Sequence, residues 1–406
     1  MKFIEGSITS PKGFKACGNN VGLKKDKKDM ALIYSVVPAS CAAAYTTNAV
    51  KAAPVKRDKS ITDRGVKISG IVINSGNANA CTGDKGIKDN RKMAEIYAKI
   101  LGVPAESVLT ASTGVIGMMM PMDKIEKGIK LTYPLLTDDV EGGHTAAEAI
   151  MTTDTVNKEV TVEIELSGKR VTVAGMSKGS GMIHPNMATM LAFITTDAAI
   201  EQSLLNDIVK ECVKDTYNMI SVDGDTSTND TLIALANGMA GNGIIADKNE
   251  DYYKFKDAFF AVNGTLAKKM AQDGEGATKL ITVNVKGAKT KLDARVMAKA
   301  VIGSSLVKAA MFGEDANWGR VMCAIGYSGA DFNPDNVDIV FKSDAGSIKL
   351  MDKGTPVQFD EDYALKILGE KSITVDIDVF CGNESATAWG CDLSYDYVRI
   401  NGDYRS

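Results

Sequence analysis

Apolar residues at Met93, Ile96, Tyr97, Ile100 and Leu101 recur at the three- and four-residue spacing of one face of an α-helix. Gly102 and Pro104 follow at once and end it, glycine by accepting a left-handed turn and proline by refusing to continue. Leu204, Leu205, Ile208, Val209 and Cys212 mark a second amphipathic helix, and helical patterns run over residues 252–270 and 291–311. Elsewhere the period drops to two. Val160, Val162, Ile164 and Leu166 alternate with polar residues up to Ser167-Gly168, and Val171 and Val173 resume the alternation beyond it, which predicts a β-hairpin. Further strands are predicted over residues 66–73 and 280–285 and at Ile373, Val375, Ile377 and Val379. Helices and strands interleave along the whole chain, so the fold class is α/β (α+β), and the hairpin argues against a purely parallel sheet. The strand at 280–285, flanked by helical patterns, predicts a boundary between a core of residues 1–280 and a C-terminal α/β domain of residues 281–406.

Composition narrows the function more than the fold. The 406 residues are ordinary for soluble globular protein, with 45% hydrophobic and 24% charged positions, and exceed what one core usually holds. A net charge of −4 offers no general attraction to nucleic acid or anionic membrane. The cluster Lys24, Lys25, Lys27 and Lys28 reads as a solvated loop. Seven cysteines, an odd number without a Cys-x-x-Cys pair, indicate neither a disulfide framework nor a zinc ribbon. The first twenty residues carry Glu5, Pro11, Lys12 and Lys15 where a signal peptide needs an apolar core, and no run of about 18 apolar residues occurs. A cytoplasmic protein is expected.

The densest chemistry lies between Ser177 and Asp197. A glycine-rich loop, Ser177-Lys-Gly-Ser-Gly-Met182, runs through a small-residue Ala188-Thr189 junction into an apolar stretch. If the peptide bond before Thr189 is broken, that threonine carries a hydroxyl and a free amine on one residue, so the nucleophile brings its own base. An α-amino group titrates at about 7.7–8.0 and accepts a proton near neutral pH without deep burial. His184 lies close before Thr189, but the amine makes a histidine base unnecessary, and it reads as a neutral loop residue. Asp223, Asp225, Asn229 and Asp230 are rich in oxygen ligands, yet they lack the spacing and terminal glutamate of a twelve-residue calcium loop and read as a polar loop near the site. No metal ligand set and no cofactor motif is assigned.

The segment Met176–Met182 followed by Met187-Ala-Thr-Met-Leu191 resembles the self-processing site of the ornithine acetyltransferase, or glutamate N-acetyltransferase, family. The likeness extends in order through Tyr45-Thr-Thr-Asn48, Asn74-Ser-Gly-Asn-Ala-Asn79, Ser112-Thr-Gly-Val-Ile-Gly117, Ile150-Met-Thr-Thr-Asp154, Asp223–Asp230, Gly274-Glu-Gly-Ala-Thr-Lys279, Phe312–Arg320 and the tail around Asn401. The resemblance implies self-cleavage between Ala188 and Thr189 into an α chain of residues 1–188 and a β chain of residues 189–406, both contributing to a layered α-β-β-α core. It implies ping-pong acetyl transfer from N-acetyl-L-ornithine to L-glutamate through acetyl-Thr189, with Thr113 and the Gly114 N–H as oxyanion hole. Substrate contacts fall by resemblance on Thr152 or Thr153, Lys178, Thr189, Glu275, Asn401 and the terminal residue, here Ser406 where the family more often has threonine. Without the family, Ser112-Thr113-Gly114 is a turn, and Lys178 and Glu275 are surface charges. No cofactor is implied, and the partners are small-molecule substrates in a heterotetramer of two α and two β chains. Some relatives also acetylate glutamate from acetyl-CoA, and the residues do not separate the two types. A self-processed N-terminal-nucleophile aminopeptidase and a non-catalytic amino-acid-binding relative remain as alternatives.

Overall fold

The computed structural model describes residues 1–184 and 190–403. Its larger sheet is organised by one long strand, Met30–Tyr45. The first part of this strand pairs antiparallel with Phe14–Asn19 and with Ile68–Asn77, and its last part pairs antiparallel with Thr231–Ala236. The ladder to Ile68–Asn77 shifts between Tyr34 and Ala39, around Pro38, which has no N–H to donate. From there Thr231–Ala236 continues in parallel to Leu191–Thr196 and then antiparallel to Lys169–Lys178, Lys158–Leu166 and Lys2–Ile4, while Ile68–Asn77 continues in parallel to Val108–Val115.

Period-two alternation sorts the side chains of both halves into layers. In Ile68–Asn77, Ile71 and Ile73 join Phe193, Ile233 and Leu235 in one central core, whereas Val72 packs on Met93 and Tyr97 of the helix Gly83–Leu101. In Leu191–Thr196, Phe193 faces the central core, and Ala192 and Ile194 pack beneath the helices Gln202–Asp215 and Glu250–Gln272. The stacking order is therefore helix, sheet half, sheet half, helix, as expected for a layered α-β-β-α core. Residues on both sides of position 188 share its cores, for example Met176 and Phe193.

The second sheet runs Thr355–Pro356, Gly346–Asp352, Asp338–Ser343, Ser372–Asp378, Leu280–Ala288, Glu384–Cys391 and Ile220–Ser221, and shares a separate core with helices between Lys291 and Leu368. The hairpin lies where the alternation places it, with Ser167 and Gly168 both at positive φ, 48° and 72°, as a two-residue turn between twisted strands requires. The pattern over 291–311 instead divides into Lys291–Gly303 and Ser305–Phe312. Ser304 at the break turns extended (ψ 113°), and its hydroxyl accepts the Val307 N–H, so a residue that fits the apolar spacing acts as a cap. Gly102 ends its helix with φ 71°. Among the described residues no helix is long and apolar enough to cross a membrane.

Two arrangements position the site. Lys178 is the register partner of Leu191, so the segment between them opens and closes at one point on the sheet. The helix Val140–Ile150, which leads into Thr152-Thr153-Asp154, lies so close to Phe14–Asn19 that a Cβ on Gly18 would sit 1.9 Å from the Thr145 carbonyl oxygen. Gly18→Ala is expected to lift this helix and destabilise the fold by about 1–3 kcal/mol, the usual scale of overpacking, read as a lower denaturation midpoint in urea. A midpoint equal to that of the parent protein would refute the contact.

Candidate active site

A cavity of about 290 Å³ opens beside the Lys178–Leu191 pairing. Thr113, Gly114, Thr152, Thr153, Lys178, Glu275 and Asn401 all line it, although they come from elements far apart in sequence. Ala188, Thr189 and Ser406 lie outside the described residues. Met190, the first described residue after the predicted junction, lines the same cavity.

Thr113 and Gly114 stand at the end of Val108–Val115, paired in parallel with Ser75 and Gly76. Gly114 has φ +129°, and a Cβ there would meet the Gly76 carbonyl carbon at 2.4 Å and the Asn77 nitrogen at 2.6 Å. Only glycine fits both the dihedral and the gap. The peptide entering Thr113 is held as well: Asn229 donates from Nδ2 to the carbonyls of Ser112 (2.7 Å) and Ala78 (2.6 Å), and the Ser112 hydroxyl donates to Asn74 Oδ1 (2.7 Å). Asn74 in turn donates to the Asn77 carbonyl at 2.9 Å, and Asn77 Nδ2 reaches the carbonyls of Met118 and Met119, both at 3.1 Å. The asparagines of the 74–79 motif thus serve as main-chain cross-braces, a role that their repetition at close spacing hints at and that nothing in their order specifies.

Lys178 ends Lys169–Lys178 with its side chain largely sealed from solvent. Burial pushes its ammonium below the ordinary lysine value, and the Asp154 carboxylate, 4.0 Å away, acts against that. Asp154, missed as a functional residue in the sequence, also accepts the N–H groups of Thr152 (3.0 Å) and Gly179 (2.7 Å). Burial alone would raise its pKa, but Lys178, Lys158 and the backbone donors outweigh burial and hold it well below the usual carboxylate range. Thr153 shares a 2.8 Å hydroxyl contact with Ser180. The Glu275 carboxylate lies flat on Gly181, where a Cβ would come within 2.4 Å of it, and accepts from Asn401 Nδ2 at 2.8 Å. The C-terminal helix Tyr395–Asp403 is thereby tied to the cavity wall.

The 223–230 loop does border the site. Asn229 and Asp230 line the cavity, while Asp223 accepts the N–H groups of Met182 (2.6 Å) and Ile183 (2.8 Å) and fixes the end of the glycine-rich segment. Among the described residues no group of three or more His, Cys, Asp or Glu could hold a metal ion. His184 hydrogen-bonds Ser221 Oγ at 2.9 Å, and burial with the nearby Lys299 charge depresses its pKa to about 4, leaving the ring neutral at neutral pH. Lys24 departs from the expected solvated loop: it is half-buried, donates to the Met151 carbonyl at 2.8 Å, and is pushed down to about 8 chiefly by burial.

This arrangement has close relatives. The sequence model of the ArgJ family matches residues 15–406. The chain is 55% identical over 406 residues to the Arginine biosynthesis bifunctional protein ArgJ of Caldanaerobacter subterraneus subsp. tengcongensis, and 52% identical over 409 residues to the protein of the same name from Symbiobacterium thermophilum, in each case across the full length of both chains. The crystal structure of the Bacillus halodurans Arginine biosynthesis bifunctional protein ArgJ is similar at 44% identity with a TM-score of 0.51, covering 53% of this chain and all of that one. Matched end to end by such relatives, the chain belongs to the ArgJ family and is an acetyltransferase of arginine biosynthesis.

Proposed function

We propose that the protein transfers acetyl from N-acetyl-L-ornithine to L-glutamate through an acetyl-Thr189 ester, after self-cleavage between Ala188 and Thr189. The observation that carries this reading is the convergence on one cavity of the Thr113-Gly114 turn, the Lys178 cation and the Glu275 carboxylate, next to the residue that follows Thr189. In the first half-reaction the Thr189 hydroxyl attacks the acetamide carbonyl while the Thr189 amine takes its proton. The tetrahedral oxyanion is stabilised by the Thr113 hydroxyl and the Gly114 N–H, each such donor contributing about 2.7–4 kcal/mol. Collapse passes the proton to the departing α-amine of ornithine and leaves the acetyl ester, and glutamate entering the same cavity takes up the acetyl group by the reverse sequence. Lys178 meets the α-carboxylate common to both substrates, Glu275 the ornithine side-chain ammonium, and Thr152, Thr153, Asn401 and Ser406 complete the pocket.

The cavity lies at the small end of ligand sites, about 300–1,000 Å³ in general, which suits one acetylated amino acid better than the peptide an aminopeptidase must admit. The relatives' name is bifunctional, and glutamate acetylation from acetyl-CoA, through the same ester, is the second activity we assign. The division into α and β chains is supported by the Bacillus halodurans structure, whose whole crystallised chain corresponds to 53% of this one, about the share that residues 189–406 make up. The sheet change at Leu280 supports the boundary between residues 1–280 and 281–406. We assign a cytoplasmic enzyme of two α and two β chains.

The test is joint. Purified protein should resolve under denaturing conditions into pieces of roughly 20 and 23 kDa of the 43.1 kDa total, co-eluting before denaturation, and should acetylate glutamate from N-acetylornithine. An active enzyme that remains one 43.1 kDa chain overturns the processing step. Cleaved protein that hydrolyses peptides and acetylates no glutamate makes it an aminopeptidase instead.

A further inference from the structure

Asp154 is 3% exposed, yet four donor groups surround its carboxylate. Oδ1 accepts from the Gly179 N–H at 2.7 Å and from Lys158 Nζ at 2.6 Å; Oδ2 accepts from the Thr152 N–H at 3.0 Å and is the oxygen nearest Lys178 Nζ, at 4.0 Å. Lys158, fully buried, continues to Asp273 Oδ2 at 2.6 Å, and Asp273 accepts the Thr155 N–H at 3.1 Å. A chain of alternating charge, Lys178, Asp154, Lys158, Asp273, thus runs from the cavity wall through the buried Asp154 and Lys158 to the partly buried Asp273 beside the exposed Thr155. Burying charge is costly, and such a chain persists only when every member is compensated. One end of it borders the cavity.

We propose that Asp154 is the positioning residue that keeps Lys178 charged and aimed into the cavity while fastening the Thr152 wall to the Gly179 turn. The proposal rests on the reading of Lys178 as the substrate-carboxylate contact. A buried ammonium without an anion sheds its proton, and a neutral amine has no hold on a carboxylate. The other charges facing Lys178 are Lys158 and Lys24, which oppose its protonation, and Asp230 and Glu275, which favour it. Asp154 is the largest of the favourable influences. Direct contact with substrate is not part of its role, since its oxygens are already engaged.

The experiment measures kcat/KM for N-acetylornithine against pH in Asp154→Asn, Lys178→Arg and the double variant, each verified as two fragments. This donor has no free α-amine, and its side-chain ammonium titrates near the ordinary lysine value of about 10.4, so a fall in kcat/KM centred below about pH 9.5 reports the enzyme. In the parent enzyme the fall is assigned to loss of the Lys178 proton, and Lys178→Arg should abolish it, because arginine keeps its charge throughout. Removing the Asp154 charge lowers the Lys178 pKa, so in Asp154→Asn the fall should come at least about one pH unit earlier, with at least tenfold lower kcat/KM at pH 8.5. In the arginine background the same asparagine should cost less than threefold.

A uniform loss in both backgrounds with an unmoved pH profile would show a packing role and overturn the proposal. Failure of Asp154→Asn to fold or cleave in either background would assign the carboxylate to the scaffold and overturn the proposal as well. If Lys178→Arg proves inactive, the displacement of the alkaline limb in the single asparagine variant decides alone. Separately, a cleaved Lys178→Met enzyme with unchanged kcat/KM would overturn the carboxylate contact itself, an outcome distinct from failure of the Asp154 proposal.

Discussion

Thr189→Ala is expected to yield a single 43.1 kDa chain with no measurable acetyl transfer. One atom group carries both losses. Self-cleavage requires a side-chain oxygen to attack the preceding carbonyl and move the Ala188 acyl group from nitrogen to oxygen, and without a hydroxyl the junction has no other intramolecular nucleophile on that residue. Transfer then fails twice over, because no ester can form and no free amine is released to act as base. His184 cannot substitute as base in a pre-cleaved protein that lacks the hydroxyl, and its neutral ring already has Ser221 as partner. Thr189→Ser should retain part of both activities, since its hydroxyl and amine are the same groups. Denaturing mass spectrometry together with an acetylglutamate assay reads both effects. Acetyl transfer above a tenth of the parent rate in the alanine variant would remove Thr189 from the mechanism.

The layered order of this fold entered through the resemblance, while the residues themselves showed the period of individual helices and strands. Ile71 and Ile73 against Val72, or Phe193 against Ile194, face different cores across one sheet, but these runs are apolar on both faces, so no polar alternation in the sequence marks which face is which. What alternation does not encode is which strands become neighbours, and the site depends on that. Gly114 meets Gly76 because Ile68–Asn77 and Val108–Val115 lie side by side, a pairing with no local signature beyond two glycines. Lys178 and Glu275 entered through resemblance, since an isolated lysine or glutamate is most often solvated. Asp154 illustrates the remaining gap. It stands inside a recognised motif beside two threonines, but its weight comes from Lys158, Gly179 and Lys178, which converge on it only in three dimensions. The lysine cluster misled for the same reason, since composition cannot tell that Lys24 folds inward onto the Met151 carbonyl while Lys25 and Lys27 remain more open to solvent.

Thr113→Ala should slow acetyl transfer by roughly 10²-fold in kcat, the usual cost of one oxyanion donor, while leaving KM nearly unchanged. The asymmetry follows from what the hydroxyl does: it meets an oxygen whose charge appears only in the tetrahedral state, so its loss is felt at the barrier and little in the ground-state complex. Gly114 cannot provide an equally clean test. Its φ of +129° and the 2.4 Å approach to Gly76 mean that alanine or proline there would displace the strand along with the N–H. At position 113 the backbone stays held through the Asn229 and Ser112 contacts, and alanine removes the hydroxyl and one methyl group. Residual activity is expected because the Gly114 N–H remains in place, so the double removal, not this variant, would approach the rate of Thr189→Ala. The comparison must use enzyme already in two pieces, by co-expression of residues 1–188 and 189–406 if processing itself is slowed. An unchanged kcat in that folded, cleaved protein would move the oxyanion hole elsewhere, whereas a raised KM at constant kcat would make Thr113 a ground-state substrate contact.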